Sequence, residues 1–353
     1  MAKPIRVVIV DDSNLMRQML KAALSREPGI EIVGLAADPI EAREVIRLTS
    51  PDVITLDIEM PKMDGLSFLE KIMTLRPTPV IMVSSLTQAG TDATIRALEL
   101  GAVDYVGKPA GAEGYGFQRV AEEVILKIKM AATARVGQLR RGTTQPKTLP
   151  PPRRSGANQF IAVGASTGGV ERIRDLLQVM PANCPPIVIT QHMGPSYMAS
   201  FAERLNKLSE PTVKLATKGA RLRQGVVYIA PGDVHLAIAR DSTGYICQLQ
   251  DTELVSGHRP SVDVMFSSIA KVAGANAVGA ILSGMGRDGA TGLAQMRKAG
   301  AYTVGEQESS CVVYGMPRTA KEAGGVVVEL PLAQIAPELL RALDAIGDRS
   351  RAS

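Results

Sequence analysis

Ile5-Arg-Val-Val-Ile-Val-Asp-Asp-Ser13 decides the reading of the first half of the chain. An apolar run of strand length, Ile5–Val10, ends in two adjacent carboxylates, and Ser13 is suited to cap a following helix. Leu15, Met16, Met19, Leu20, Ala23 and Leu24 then recur at three- and four-residue spacing, the stripe of a helix with one packed face. Short apolar runs return at Ile32–Ala36, Val53–Leu56, Val80–Val83 and Asp104–Val106. Phe117, Val120, Val124, Ile128 and Ala131 mark a last helix. Five strand–helix units predict an α/β, flavodoxin-like domain over residues 1–130, with an open five-stranded parallel sheet. Functional groups in such sheets gather beyond the carboxyl ends of the strands.

The pattern restarts after a gap. Apolar strands are expected at Phe160–Val163, Ile187–Thr190, Val226–Ile229, Ala277–Leu282, Ala301–Val304 and Val326–Leu330. A meander from Tyr228 to Gln250, punctuated by Pro231-Gly232 and Ser242-Thr-Gly244, adds an antiparallel hairpin region. Residues 159–348 therefore read as a second, doubly wound α/β domain.

The gap, residues 131–158, contains Pro146, Pro150, Pro151 and Pro152 and lacks apolar periodicity, which reads as a linker. It also carries Arg135, Arg140, Arg141, Lys147, Arg153 and Arg154 and no acidic residue. The net charge of +5 is thus concentrated there, and the folded parts are near neutral. With aromatic residues at 3%, no Trp and no basic recognition helix, nucleic acid is not an expected partner. Cys184, Cys247 and Cys311 are odd in number and scattered, which excludes a disulfide framework and a thiolate metal site. No apolar run reaches about 18 residues, so membrane insertion is not expected. Met1-Ala-Lys-Pro-Ile-Arg6 leads straight into the first strand without the apolar region of a secretory signal, and the scattered cysteines point to the reducing cytoplasm as the expected compartment.

Polar residues stand at matching strand ends in the first domain. Asp11 and Asp12 follow the first strand, Asp57 ends the third, Ser84 the fourth, and Lys108 follows the fifth. Three clustered carboxylates repel one another unless a cation neutralises them, and Mg²⁺, a hard ion with oxygen ligands, suits them. Lysine and hydroxyl nearby suit the oxygens of a phosphoryl group.

In the second domain, Phe160-Ile-Ala-Val-Gly164-Ala-Ser166-Thr-Gly168-Gly169 is strand, tight turn and helix around a G-x-S-x-G core. Such a turn exposes the serine hydroxyl at a helix N-terminus. Neither G-x-G-x-x-G nor the P-loop lysine is present, so a nucleotide loop is the weaker reading. The chain has three histidines, His192, His235 and His258. His192 ends the strand beginning at Ile187, and Asp288 follows another strand in Leu282-Ser-Gly-Met285-Gly-Arg-Asp288. Ser166, His192 and Asp288 can thus meet at one edge as nucleophile, base and orienting carboxylate. His235 and His258 read as pocket walls. Backbone N–H groups near Met285 and in the turn at Thr167 are the expected oxyanion donors.

Residues 3–130 closely resemble a response-regulator receiver domain. The resemblance implies that Asp57 is the phosphoacceptor and that Asp11, Asp12, Asp57 and the main-chain carbonyl of Glu59 hold Mg²⁺. It also implies that Ser84 is the switch hydroxyl, Lys108 the phosphate partner and Tyr105 the aromatic switch position. Gly164-Ala-Ser-Thr-Gly-Gly169, Gln191-His-Met193, Arg259-Pro-Ser-Val-Asp263 and Ser283-Gly-Met-Gly-Arg-Asp288-Gly extend the likeness. With them the whole chain resembles the chemotaxis protein-glutamate methylesterase/glutamine deamidase (CheB) family. That implies a phosphorylation-controlled serine hydrolase acting on glutamate γ-methyl esters and glutamines in the cytoplasmic domains of methyl-accepting chemoreceptors. It implies phosphate from the chemotaxis histidine kinase, no cofactor in the catalytic domain, and an unphosphorylated receiver that partly covers the cleft. A regulator that only binds a partner is the alternative, and the intact serine, histidine and aspartate speak against it.

Overall fold

Strands that are apolar along their whole length need helices on both faces, and the chain supplies them twice. The computed structural model describes residues 3–60, 63–84, 87–108, 114–137, 148–150 and 158–352. It divides into two compact units, Met1–Gly142 and Thr143–Ser353.

The first unit alternates β1 (Ile5–Val10), α1 (Asn14–Leu24), β2 (Ile30–Ala36), α2 (Pro39–Thr49), β3 (Val53–Asp57), α3 (Gly65–Leu75), β4 (Val80–Ser84), α4 (Gln88–Glu99), β5 (Asp104–Gly107) and α5 (Gly114–Ala131). The five strands are parallel in the order β2-β1-β3-β4-β5. Every residue of β3 and β4 is buried, as a sheet covered on both faces requires. Helix starts follow local chemistry: the Ser13 hydroxyl caps α1 at the Met16 N–H, and the Asp64 carboxylate caps α3 at the Ser67 N–H. The chain winds one way from β1 to β2 and the other way from β3 onward. Asp11 and Asp57 flank that switch point.

The second unit runs β6 (Phe160–Ala165), α6 (Gly169–Gln178), β7 (Ile187–Gln191), α7 (Pro195–Leu208), β8 (Thr212–Leu215), β9 (Val226–Ile229), β10 (His235–Asp241), β11 (Gly244–Gln250) and α8 (Val262–Val272). It continues with β12 (Ala277–Ile281), α9 (Ala290–Lys298), β13 (Tyr302–Glu306), α10 (Met316–Glu322), β14 (Val328–Leu330) and α11 (Leu332–Ala352). Seven parallel strands lie in the order β14-β13-β12-β6-β7-β9-β8, with the switch point between β12 and β6. The antiparallel hairpin β10-β11 forms its own sheet, while Tyr228, expected in that meander, belongs to the parallel strand β9. Leu236, Ile238, Tyr245 and Cys247 of the hairpin join Phe160, Val262, Phe266 and Leu293 in one buried core. The edge strand β8 escaped the sequence reading because only Val213 of its four residues is buried.

Most of the expected linker lies outside the described residues. Within it, Thr148 Oγ1 donates to Glu210 Oε1 at 2.9 Å and the Leu149 N–H to the Val179 carbonyl at 2.8 Å. These bonds tie its end to the second unit. Among the described residues, no helix is long and apolar enough to cross a membrane.

Candidate functional site

The first cluster lies beyond β1, β3 and β5. Carboxylate oxygens of Asp11, Asp12 and Asp57 come within 4.8 Å of one another. Asp11 and Asp57 are buried and Asp12 is exposed. Lys108 Nζ sits 2.7 Å from Asp57 Oδ2 and 3.1 Å from Asp11 Oδ2. The Glu59 N–H donates to Asp57 Oδ1 at 3.2 Å. Burial and then the repulsion of Asp11, against the opposing hydrogen bond and charge of Lys108, push the Asp57 carboxyl up to about 6. Burial alone would lower Lys108, but the hydrogen bond to Asp57 and the charges of Asp57 and Asp11 outweigh it and hold the ammonium above its usual range. Asp11 Oδ2 is buried and, beside its ion pair with Lys108, accepts no aligned hydrogen bond among the described residues. A site with surplus buried negative charge and such an oxygen fits a hard divalent cation. Gly65 keeps the returning loop close, since a Cβ there would lie 2.1 Å from the Asp57 carbonyl oxygen. Ser84 ends β4 as expected, and its hydroxyl donates to the Gly90 carbonyl at 3.1 Å. Tyr105 lies beneath Lys127, whose Nζ is 4.8 Å from the ring centroid.

The second cluster lies beyond β6, β7 and β12. Ala165 and Gln191 are register partners, so Ser166 and His192, the next residues, leave neighbouring strands side by side. The turn after Ser166 closes with the Gly169 N–H donating to the Ser166 carbonyl at 2.8 Å, and Gly168, at φ 76°, supplies the left-handed residue that it needs. Gln191 Nε2 donates to the same carbonyl at 2.9 Å. His192 Nε2 lies 2.7 Å from Asp288 Oδ2. An ionised carboxylate only accepts, so Nε2 carries the proton. Nδ1 is buried with no hydrogen-bond partner among the described residues.

Asp288 is saturated with donors. Its oxygens also accept the Ser261 hydroxyl at 2.7 Å, the Val262 N–H at 2.7 Å and the Asp263 N–H at 3.0 Å. They belong to the start of α8, where a helix favours negative charge. Burial would raise the Asp288 carboxyl, but the hydrogen bond and charge of His192, with the Ser261 and Asp263 donors, hold it below its usual range.

Two histidines read as pocket walls have structural duties. His235 is fully buried; its Nδ1 accepts the Ser261 N–H at 3.1 Å and its Nε2 lies 3.0 Å from the Glu253 carbonyl. It therefore holds the residue that holds Asp288. His258 stacks on His192 with ring centroids 3.7 Å apart and planes 12° apart. Burial, and then the proximity of His192, push His258 down to about 4, which keeps it neutral near pH 7. The Ser261 and His258 contacts went unread because they join a loop to distant strand ends. Their one local sign is Gly257-His-Arg-Pro-Ser261 just before a helix. Of the expected oxyanion residues, Met285 is exposed, its N–H has no acceptor among the described residues, and Thr167 is buried beside Ser166.

A family profile described as "CheB methylesterase" matches residues 161–339, and one described as "Response regulator receiver domain" matches residues 7–114. A protein of Agrobacterium fabrum named protein-glutamate methylesterase/protein-glutamine glutaminase is 53% identical over 343 residues, covering 95% of this chain and 96% of that protein. One of Caulobacter vibrioides, named protein-glutamate methylesterase/protein-glutamine glutaminase 1, is 54% identical over 344 residues, covering 96% and 98%. The crystal structure of the Thermotoga maritima CheB methylesterase catalytic domain is 34% identical, with a TM-score of 0.51, and covers 53% of this chain and 99% of that one.

Proposed function

The chain belongs to the CheB methylesterase family, and from that premise we propose how its two sites divide one task. It is a protein-glutamate methylesterase and protein-glutamine glutaminase under the control of phosphorylation at its receiver domain. Its substrates are glutamate γ-methyl esters and glutamines on the cytoplasmic domains of methyl-accepting chemoreceptors, and it works in the cytoplasm.

The observation that carries the catalytic reading is His192 itself, with one ring nitrogen on Asp288 and the other buried without a partner among the described residues. Asp288 fixes the Nε2–H tautomer, which leaves the Nδ1 lone pair to take the proton of the Ser166 hydroxyl as its oxygen attacks the γ-carbonyl carbon. The negative charge that develops on the carbonyl oxygen is met by the N–H groups of Met285 and Thr167. Imidazolium returns the proton to the leaving group, which departs as methanol or ammonia. Water, activated by the same nitrogen, then cleaves the acyl-enzyme and frees the glutamate carboxylate. His258, neutral and stacked, keeps the imidazole from swinging and does not compete for the proton.

In the receiver, Asp57 accepts the phosphoryl group, supplied by a chemotaxis histidine kinase. Mg²⁺ held by Asp11, Asp12, Asp57 and the Glu59 carbonyl would offset charge on the phosphoryl oxygens. Lys108 pairs with one of those oxygens, and Ser84 exchanges its bond to the Gly90 carbonyl for another.

A fluorophosphonate probe tests the catalytic half. It is expected to label Ser166 in the wild type and to leave Ser166→Ala unlabelled, with methanol release lost in parallel. Labelling of Ser166→Ala together with normal methanol release would end this reading.

A further inference from the structure

We propose that Ser283 is a positioning residue for the oxyanion site, clamping the nucleophile turn after β6 to the loop after β12. This rests on the reading of Ser166 as nucleophile and of Thr167 and Met285 as donors.

Those two donors lie in turns that follow β6 and β12, which are distant in sequence, so only non-covalent contacts set their separation. Ser283 is where the two segments meet. Its carbonyl accepts the Ser166 N–H at 3.0 Å. Its hydroxyl donates to the Thr167 carbonyl at 2.9 Å and accepts the Val313 N–H at 3.0 Å. One fully buried residue thus holds both sides of the nucleophile turn and stands two positions before Met285.

The clamp is itself anchored. The Ser283 N–H donates to Glu306 Oε2 at 2.8 Å, and Glu306 is fully buried at the end of β13. Arg172 of α6 faces it, with Nε 3.5 Å from Glu306 Oε1, and also donates to the Ser310 carbonyl at 2.7 Å. A hydrogen bond from a backbone N–H to a buried carboxylate is among the stronger kinds. The next residue leaves no slack: a Cβ on Gly284 would lie 2.8 Å from the Ser166 Cβ. Val313 and Met316 fix that segment from the far side, through the Gly284 N–H to the Val313 carbonyl at 3.1 Å and the Met316 N–H to the Gly284 carbonyl at 2.8 Å.

Oxyanion stabilisation depends on donor placement, and a misplacement of about 1 Å can cost about 100-fold in rate. The ground-state carbonyl gains less from those donors than the tetrahedral oxyanion does. Loosening the clamp therefore lowers kcat and leaves KM nearly unchanged.

The test uses the full chain with phosphodonor and methyl-labelled receptor membranes, and an alkyl boronic acid as a tetrahedral probe. Ser283→Ala is expected to lower kcat by about 10- to 100-fold with KM within about twofold. The inhibition constant of the boronic acid is expected to rise in step with the fall in kcat/KM, which a purely structural role would not produce. Ser283→Cys, nearly equal in volume, makes weaker hydrogen bonds; an intermediate loss in it carries the test if the alanine variant does not fold. If folded variants keep kcat and the boronic acid constant near wild type, or raise KM alone, the clamp is refuted. Ser166→Ala, run alongside, separates the two ideas: its activity would overturn the function itself, whereas a dead Ser166→Ala beside fully active Ser283 variants overturns only the clamp.

Discussion

Asp57 and Asp288 occupy equivalent places, buried beyond the strands at the switch point of a parallel sheet, yet their surroundings are opposite. Asp288 accepts a hydroxyl, two backbone N–H groups and His192, and its carboxyl is held below the usual range. Among the described residues Asp57 has one backbone N–H and Lys108, and it faces a second buried carboxylate and is pushed up to about 6. The helix start at α8 surrounds Asp288 with donors, whereas Asp57 shares its edge with Asp11 and Asp12 and is left short of positive charge. In the role proposed for Asp288, a carboxylate that holds a histidine through many turnovers needs a satisfied, rigid setting. In the role proposed for Asp57, one that takes up a cation and a phosphoryl group needs an unsatisfied one. The same sheet edge serves either purpose, and the neighbours decide which.

Substitutions probe that contrast, the most severe first. Removing the proposed nucleophile or base, as Ser166→Ala or His192→Ala, is expected to lower methanol release by about 10⁴- to 10⁶-fold. Phosphorylation by a small phosphodonor should persist in both variants; a paired loss would mean that the two sites do not act separately. Asp288→Asn is expected to cost about 10⁴-fold at most, since it disturbs the tautomer while nucleophile and base remain.

Ser261→Ala removes one of the donors on Asp288. A kcat loss of about tenfold is expected, the worth of one hydrogen bond to a charged group, because the Val262 and Asp263 N–H groups remain. A wild-type kcat would show that the saturation of Asp288 is irrelevant to turnover. On the receiver side, Asp12→Ala is expected to weaken Mg²⁺ binding and to abolish phosphorylation by the small donor. With no Trp in the chain, calorimetry is the suitable readout; unchanged Mg²⁺ affinity would dissolve the proposed cluster.

The smallest expected effect is on stability. An unfolded histidine takes up its proton near 6.5, whereas folded His258 does so only at about 4. Between those values the unfolded state binds more protons, so this contribution is fully present above pH 6.5 and fades as pH falls toward 4. His258→Gln should flatten the acid side of a pH series of denaturant midpoints; an unaltered slope would mean that the stacked ring is not held neutral.

How much was legible in the sequence follows from how local each feature is. Strand ends were readable because apolar runs stop at polar residues, and that placed Asp11, Asp57, Lys108, Ser166 and His192. Asp288 was readable from its distance past a strand and its type. The donors that make Asp288 different from Asp57 were not, because Ser261 and His235 act through a loop and a hairpin whose approach to β12 is a matter of packing. His258 has only its place in Gly257-His-Arg-Pro-Ser261 as a local sign, and that does not say which ring it stacks on. Strand β8 was missed for a simpler reason: at the sheet edge a strand has too little buried surface to show an apolar run.

The most direct test of the division between the two sites is the ratio of methanol release with phosphodonor to that without, measured on methyl-labelled receptor membranes for the wild type and for Asp57→Ala. The ratio is expected to exceed one clearly in the wild type and to equal one in Asp57→Ala. A variant lacking Asp57 that still responds to the donor, or a wild type that does not, would contradict the assignment of control to the unsatisfied carboxylate and chemistry to the satisfied one.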